Sequence, residues 1–390
     1  MQLHDLASFY RGFLLDGIVP FWMRHGADHE FGGVLSCMNE DGTPVNTNKY
    51  IWSQARFLWV LSALYRRLEA RAEWLEAARK TAQFLIHHGR DPQGRWLYCV
   101  SREGAPIEGP TSIFADCFAV YGFTEYHRAS GDTAALDLAV RIHRNILARI
   151  AAGDMPTAPY AYPPDVRIHS ISMMLTEITN RLAEATGDPE HEAVAERHAR
   201  RIVDKFLRPE KGALVEILSP SYETIPGPAG TYVVPGHAIE SMWFVIEWAR
   251  RRGHQDVIRR AVQAIRQHLE LGWDPEFGGL FLAIDLEGHP PYFPNAEKKI
   301  WWPHTEALYA LLLAHGLTGE PWCLDWYWRI HHYSFEHFHM PEVGEWRQRL
   351  NREGKPIQDL IALPVKDPFH LPRAVLLILE LLGAKSTPQS

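Results

Sequence analysis

The stretch Glu276-Phe-Gly278-Gly-Leu-Phe-Leu282, followed by Glu287-Gly288, decides the fold because its pattern recurs along the chain. Each clear copy has an acidic or turn residue, a glycine, alternating apolar residues, and then an acidic residue and a second glycine ten residues after the first, which the weaker copies lack. Clear copies begin at Gly32, Gly94, Gly278 and Gly344, and weaker ones at Gly153 and Gly212. The successive spacings are 62, 59, 59, 66 and 66 residues. Short alternating runs closed by an Xaa-Gly turn predict β-hairpins, so the chain is a repeat of six units.

The segments between these hairpins have helical spacing and fall into two alternating sets. Outer helices, which precede the hairpins, are predicted at about 2–24, 72–89, 133–151, 189–206, 255–271 and 321–338. Inner helices, which follow the hairpins, are predicted at about 51–69, 112–130, 169–186, 237–251, 303–316 and 370–383. The outer set has one charged and one apolar face, whereas the inner set is apolar all round. Six helix pairs predict an all-α toroid, the (α/α)6 barrel, as a single domain over residues 1–390 with short β-hairpins at one mouth.

Composition narrows the class of protein. The chain has 390 residues, 46% apolar and 22% charged, and a net charge of −7, which gives no argument for a nucleic-acid partner. It has no apolar run long enough to cross a bilayer and no basic-then-apolar segment at its N-terminus. The four cysteines are scattered and predict reduced thiols. We therefore expect a cytoplasmic protein without nucleic-acid or membrane partners.

Polar residues recur at the starts of the inner helices, which all meet at one mouth of such a toroid. Five of the six starts carry polar side chains where an inner helix should prefer apolar ones. The residues at these starts are, in chain order, Trp52, Gln54 and Arg56; Asp116; Met173 and Met174; His237 and Glu240; Trp301, Trp302, His304 and Glu306; and His370 and Arg373. The positive end of a helix disfavours imidazolium, so we expect His237 to be neutral and able to accept a proton.

Histidines, an arginine and carboxylates in one aromatic pocket suit proton abstraction next to a carbonyl group. Neutral imidazole is a base near pH 7, and Arg56 could hold the oxygens of an enediolate bidentately. Bases on opposite faces of that planar intermediate would allow epimerisation. The sequence has no GxxxxGK[ST] and no credible GxGxxG, and the histidine pairs near the outer-helix ends lack zinc-site spacing. We therefore expect neither a cofactor nor a metal.

Over essentially its whole length the sequence resembles the N-acylglucosamine 2-epimerase family. The segments that carry the resemblance are Lys49-Tyr-Ile-Trp52-Ser-Gln-Ala-Arg56, Pro235-Gly-His-Ala-Ile-Glu240, Lys299-Ile-Trp301-Trp302-Pro-His304-Thr-Glu306-Ala, Gly344-Glu-Trp346 and Phe369-His370-Leu-Pro-Arg373. The resemblance implies the (α/α)6 barrel and inversion or isomerisation at C2 of an open-chain sugar, without a redox cofactor or a required metal. It implies that His237 and His370 are the acid/base pair and that Arg56 binds O1 or O2 of the sugar.

Further substrate-binding residues are expected around this pair. The resemblance places Glu240 and Trp302 in the pocket, and the helix starts add Trp52, Asp116, His304, Glu306 and Arg373. Family members are often dimers, which leaves a homodimer open here, with the aromatic-rich outer helix Trp322–Phe338 as one candidate interface.

Three departures from the family pattern bear on the substrate. The start of the third inner helix reads Ser172-Met173-Met174-Leu175, where isomerases and disaccharide epimerases usually carry a histidine and the N-acylglucosamine branch has Pro before the Met pair. The segment Arg347-Gln348-Arg349 stands where aromatic-Gly-Tyr is usual, and Asp367 stands where glycine is common. The expected substrate is N-acyl-D-glucosamine, N-acyl-D-mannosamine or a related free aldose.

Three other functions are compatible with the same residues. An aldose–ketose isomerase would share the scaffold and the enediolate. A glycoside hydrolase or lyase on an (α/α)6 barrel would use a carboxylate pair, such as Asp116 with Glu240 or Glu306. A non-catalytic interaction protein would use the toroid as a platform, although the intact polar set at the mouth argues against it.

Overall fold

The computed structural model of the protein describes residues 3–290, 292–357 and 366–384. Twelve longer helices are present in this part of the chain. They are α1 (Leu6–Gly12, continued to Gly26 by the π-helical turns Phe13–Ile18 and Trp22–Gly26 around Val19–Phe21), α2 (Ile51–Arg67), α3 (Ala72–His88), α4 (Ile113–Ser130), α5 (Thr133–Ala151), α6 (His169–Thr186), α7 (Pro189–Arg201, continued by the π-helical turn Ile202–Phe206), α8 (Pro235–Arg252), α9 (Gln255–Gly272), α10 (Trp301–Thr318), α11 (Pro321–His337) and α12 (His370–Ala384).

The even-numbered helices form a closed inner ring. Each packs on the next, from α2 through α4, α6, α8 and α10 to α12, and α12 packs back on α2. Each odd-numbered helix packs outside one inner helix, with α1 against α12. The predicted (α/α)6 barrel and its alternation of inner and outer helices are confirmed.

Burial follows from this arrangement. Helix α2 is buried without a break from Ile51 to Leu64, because it has neighbours on every side. Helix α3 buries only one stripe, which includes Trp74, Ala78 and Leu85, and leaves its charged face in solvent. Inner helices therefore place whatever polar residues they carry in the protein interior, where such residues need partners.

Short connections turn each inner helix into the next outer one. Four inner helices end at a glycine in the left-handed conformation, as α4 does at Gly131 with φ 76°. Asp132 and Asp188 then accept backbone N–H groups at the starts of α5 and α7. Glycine after the last turn and aspartate before the first turn are favoured at these positions.

Two-residue and three-residue strands line one mouth of the barrel. They are Lys49–Tyr50, Cys99–Val100, Pro106–Glu108, Arg167–Ile168, Leu207–Arg208, Ala213–Leu214, Ile217–Leu218, Tyr232–Val233, Ile284–Asp285, Lys299–Ile300, His339–Met340, Glu345–Trp346 and Arg349–Leu350. The predicted hairpins are present, but the clear copies contain two turns rather than one. In the first unit, for example, Ala27 bridges Val34 around Gly32, and Met38 bridges Pro44 around Gly42.

The strands also join neighbouring units. The residues just before an inner helix pair with the middle of the following unit, as Tyr232–Val233 do with Ile284–Asp285 and Lys299–Ile300 do with Arg349–Leu350. Lys49–Tyr50 and Arg167–Ile168 likewise pair with strands of the following unit, and Ser112 forms a bridge to Thr157. These bonds fix the starts of the inner helices relative to one another, so the residues at those starts are held in register.

All four cysteines are free and buried, as the sequence predicted. No helix in the described part of the chain has the length and apolar character needed to cross a membrane.

Candidate active site

A cavity of about 600 Å³ opens where the inner helices begin. Aromatic side chains make up much of its wall, and the polar groups lie in small clusters between them. Of the predicted site residues, seven line it: Trp52, Arg56, His237, Glu240, Trp302, His370 and Arg373. Other lining residues that matter below are Met173, Met174, Gln348 and Arg349.

His237 lies in the first turn of α8, and its ring is fixed from behind by a carboxylate. Its Nδ1 is 3.3 Å from both carboxylate oxygens of Glu216. Glu216 is 1% exposed and lies beside the strand Ile217–Leu218, in the unit that precedes α8. If Nδ1–H donates to this carboxylate, Nε2 is the ring nitrogen left for a ligand.

His370 opens α12 and has an equivalent partner. Its Nδ1 is 2.8 Å from Oε1 of Glu306, which belongs to α10 and is 1% exposed. Glu306 also accepts a hydrogen bond from Trp243 Nε1 at 2.9 Å and forms an ion pair with Arg373 Nη2 at 2.9 Å. Arg373 in turn donates to Glu240. His370 therefore belongs to a fully buried network of two carboxylates and one guanidinium.

Trp302 contacts both histidines. Its ring centroid is 5.2 Å from that of His237 and 5.7 Å from that of His370. Gly236 makes this packing possible, because a Cβ there would meet the Trp302 ring at 2.6 Å. Helix α8 can thus approach α10 closely enough for one indole to set the relative position of the two imidazoles.

Arg56 is held by aromatic faces and one carboxylate. Its guanidinium lies 4.0 Å from the centroid of the Phe118 ring and 4.8 Å from that of Phe369. Its Nη1 donates to Oδ2 of Asp367 at 3.3 Å, and Nε has no hydrogen-bond partner among the described residues. Asp367, one of the departures from the family pattern, therefore binds the arginine that is expected to contact the sugar.

Three predicted substrate-binding residues do not line the cavity. Asp116 accepts from Arg149 Nη1 at 3.1 Å, and burial raises its pKa to about 7 against the opposite effect of Arg149. His304 is fully buried, accepts from the Leu280 N–H at 3.0 Å and donates to the Ile300 carbonyl at 2.8 Å, so both its nitrogens serve the backbone. Glu306 lies behind His370. Asp116 and His304 thus have partners within the fold, and their contact with the sugar stays a prediction.

The two histidines have opposite protonation preferences. Burial disfavours a charged His237, but the charge and hydrogen bonding of Glu216 outweigh burial and raise its pKa above the usual 6.5. Burial also acts on His370, and Arg56 and Arg373 add to it against Glu240, so its pKa lies well below 6.5. The helix terminus was expected to lower the pKa of His237, and the direction of the shift is the opposite, because a carboxylate in direct contact outweighs the helix dipole.

Sequence reasoning missed Glu216 and His169. The third inner helix does begin with a histidine, three residues before Ser172, but His169 does not line the cavity. Its Nδ1 is 3.4 Å from Glu216 Oε2, and its Nε2 is 2.8 Å from Ser241 Oγ. A buried Glu in the middle of an apolar strand segment, Val215-Glu216-Ile217-Leu218, was the available signal, because an isolated buried carboxylate requires a partner.

Two clusters have ligand atoms close enough for a metal ion. They are His169, Glu216 and His237, and Glu240, Glu306 and His370, each within 4.8 Å. In the first cluster both histidines bond to Glu216, and in the second His370 bonds to Glu306 while Arg373 joins Glu306 to Glu240.

Comparisons with known proteins agree with the resemblance seen in the sequence. The family model of N-acylglucosamine 2-epimerase (GlcNAc 2-epimerase) matches residues 33–373. The N-acylglucosamine 2-epimerase of Homo sapiens is 32% identical over 384 residues, which covers 95% of this chain and 88% of that protein.

Solved structures share the fold. A cellobiose 2-epimerase from Bacillus thermoamylovorans B4167 superimposes with a TM-score of 0.84 at 21% identity, covering 97% of this chain and all of that one (100%). A D-mannose isomerase superimposes with a TM-score of 0.81 at 16% identity over 98% of this chain and 99% of that one.

Proposed function

Because the chain belongs to the N-acylglucosamine 2-epimerase family and is a sugar 2-epimerase, we propose that it interconverts N-acyl-D-glucosamine and N-acyl-D-mannosamine. In this proposal His237 and His370 exchange the C2 proton of the open-chain sugar. The observation that carries it is the pairing of two imidazoles across Trp302 in one cavity, each with Nδ1 on a buried carboxylate. Each ring then offers Nε2 to the substrate.

The protonation preferences assign the first step. His370, whose pKa is lowered, removes the C2 proton as the base. The electrons of the C–H bond move to the carbonyl, and the resulting oxyanion is stabilised by a donor such as Arg56. His237, whose pKa is raised, returns a proton to the opposite face of C2. The opposite direction uses the same two groups with their roles exchanged.

This sequence moves one proton from His237 to His370 in each turnover. The enzyme must therefore redistribute that proton before it can act on the same epimer again. Because no redox change occurs at C2, the step balances without an oxidant or a reductant.

Two features support an N-acyl amino sugar rather than a free aldose. Met173 and Met174 line the cavity and are each 6% exposed, so the third inner helix presents two thioethers there, beside Ser170 and Glu177. Flexible thioether side chains suit the methyl group of an N-acyl substituent. In addition, an aldose with nitrogen at C2 does not yield a ketose when the proton returns to C1, so the chemistry of that substrate favours epimerisation.

The test is incubation of the protein in D2O with N-acetyl-D-glucosamine, N-acetyl-D-mannosamine, D-glucose, D-mannose and cellobiose, followed by NMR of the products. We expect the C2-deuterated epimer of the two N-acetyl sugars, formed faster than any product from the others. Faster epimerisation of a free aldose would overturn the substrate assignment. Ketose as the main product would establish the aldose–ketose isomerase instead.

A further inference from the structure

Glu216 sits between two histidines, and only one of them reaches the cavity. We propose that Glu216 and His169 are positioning residues of the reaction, which together fix the His237 ring with Nδ1 protonated and Nε2 free for the substrate. This inference rests on the proposed function of His237 and goes beyond it to the groups behind that ring.

The hydrogen bonds allow one consistent direction along the chain of groups. Ser241 Oγ is 2.8 Å from His169 Nε2, and His169 Nδ1 is 3.4 Å from Glu216 Oε2. Because an ionised carboxylate only accepts, both histidines must donate to it through Nδ1. In the tautomer that carries its proton on Nδ1, His169 has Nε2 as an acceptor for the Ser241 hydroxyl.

The burial of these groups explains why the arrangement matters. Glu216, His169 and Ser241 are each 1% exposed or less, so water cannot supply missing donors. Burial opposes ionisation of Glu216, but His237 and His169 outweigh it and hold the pKa of the carboxyl at about 2. The carboxylate stays charged over the whole working range of pH, and its charge acts on His237.

The other titratable groups that face Glu216 do not replace this effect. His268 of α9 is fully buried and accepts from the Leu214 N–H, and burial lowers its pKa to about 4. The pKa values of Tyr162 and Tyr232 are raised, first by burial and then by Glu216, so both stay neutral. Glu240 also acts on His237, but less than Glu216 does.

The shared carboxylate predicts that substitutions of Glu216 and of His169 shift the pKa of His237 in opposite directions. Replacing Glu216 removes the charge that favours imidazolium, so the pKa of His237 should fall. Removing the donor at position 169 leaves the carboxylate with one donor fewer, so its bond to His237 should strengthen and the pKa of His237 should rise. A purely structural role for these residues would not give shifts of opposite sign.

The experiment uses Glu216→Gln, His169→Leu and His169→Asn, whose amide nitrogen can replace Nδ1 as donor. The readouts are kcat and KM in both directions against pH, and the NMR titration of His237 in protein carrying ¹³C-labelled histidine, assigned with His237→Asn. His143→Asn is the matched control, since His143 is a buried histidine bonded to the Thr179 hydroxyl and lies outside the cavity wall.

For Glu216→Gln we expect kcat to fall on the order of 10–100-fold with KM little changed, as when a group that orients a functional side chain is removed. The midpoint of the His237 titration should also fall. His169→Leu should lower kcat about tenfold, at the lower end of that range, and raise the midpoint. His169→Asn and His143→Asn should resemble the wild type.

Wild-type kcat and an unchanged His237 midpoint in Glu216→Gln would overturn the inference while leaving the epimerase intact. If Glu216→Gln does not fold, the comparison of His169→Leu with His169→Asn tests the inference. Equal rates and equal His237 titration midpoints in these two variants would overturn it. Absence of epimerisation in the wild type would instead overturn the proposed function.

Discussion

The His237 and His370 sides of the cavity are built alike and behave differently. Each histidine lies in the first turn of an inner helix, and each has Nδ1 on a carboxylate that is 1% exposed. Glu216 also bonds to a second histidine, whereas Glu306 forms an ion pair with Arg373. Burial opposes the charged form of both rings; Glu216 outweighs it and raises the pKa of His237, whereas Arg56 and Arg373 add to it and the pKa of His370 is lowered.

This difference shows that the neighbours, not the helix terminus, set the protonation states. Both rings experience the positive end of a helix, so that influence cannot separate them. A cation beside the carboxylate can separate the pKa values of the two rings, because it offsets the negative charge that would otherwise stabilise imidazolium. Two side chains of the same residue type thereby have pKa shifts of opposite sign.

The largest expected effect comes from removing either ring. His237→Asn and His370→Asn should each lower net epimerisation roughly 10²–10⁴-fold, because no group remains to deliver the proton to the second face. The surviving histidine should still exchange the C2 proton of one epimer with solvent. Wash-in of deuterium, followed by NMR, should therefore be slow, and should occur in opposite epimers for the two variants.

Two results would contradict the two-base comparison. Wash-in into the same epimer by both variants would show that the rings do not lie on opposite faces of C2. Epimerisation that survives in either variant would show that one base is enough.

A smaller effect should follow from making the His370 side resemble the His237 side. Arg373→Met removes the cation from Glu306 and Glu240, so the pKa of His370 should rise. The rate at pH 7 should then fall roughly tenfold for each unit by which that pKa exceeds 7, and the acid limb of the pH–rate profile should move to higher pH. Arg373→Lys keeps the charge and is the control.

The free energy of unfolding should also fall in Arg373→Met. Loss of one member of a buried ion network costs about 3–5 kcal/mol, which urea unfolding at pH 7 would measure. An unmoved acid limb in a folded Arg373→Met protein would show that Arg373 does not set the protonation of His370.

The smallest effect concerns a buried histidine with no carboxylate. His331 is 4% exposed, stacks on Phe335 with centroids 4.5 Å apart, and has no hydrogen-bond partner for either ring nitrogen among the described residues. Burial lowers its pKa to about 4. His331→Phe should raise the free energy of unfolding by about 1 kcal/mol at pH 7.5, since it removes unsatisfied buried polar atoms.

The gain in stability from His331→Phe should depend on pH, and the lowered pKa of His331 gives the direction. A histidine with a lowered pKa favours the folded state above its unfolded pKa of about 6.5, and this contribution is lost as pH falls towards 4. The advantage of His331→Phe should therefore grow between pH 6.5 and pH 4. Urea unfolding at pH 7.5 and 5.0 measures it, with the exposed neighbour His332→Phe as control; an equal gain in both variants would refute the explanation.

Much of the fold could be predicted because it is encoded locally. Glycine spacing marks the units, and the apolar pattern separates inner from outer helices, so most helix bounds were predicted within a few residues. Helix α1 differs, since it begins at Leu6 and contains π-helical turns. The turn at the first glycine of each clear hairpin copy was not predicted, because the pattern places that glycine at the start of an alternating apolar run.

The sequence by itself determined the six-unit barrel, the ring of polar residues at its mouth and the choice of His237 and His370 as candidates. The barrel and the ring follow from periodicity and from which residue types fall at helix starts, and the choice of the two histidines follows from the family resemblance. The tertiary structure decided which of those residues reach the cavity, and it placed His304 and Asp116 among structural partners instead. It also paired His237 with Glu216, 21 residues away, and His370 with Glu306, 64 residues away. Protonation depends on charges within a few ångströms of each ring, and such distances between remote residues are set only when the barrel closes.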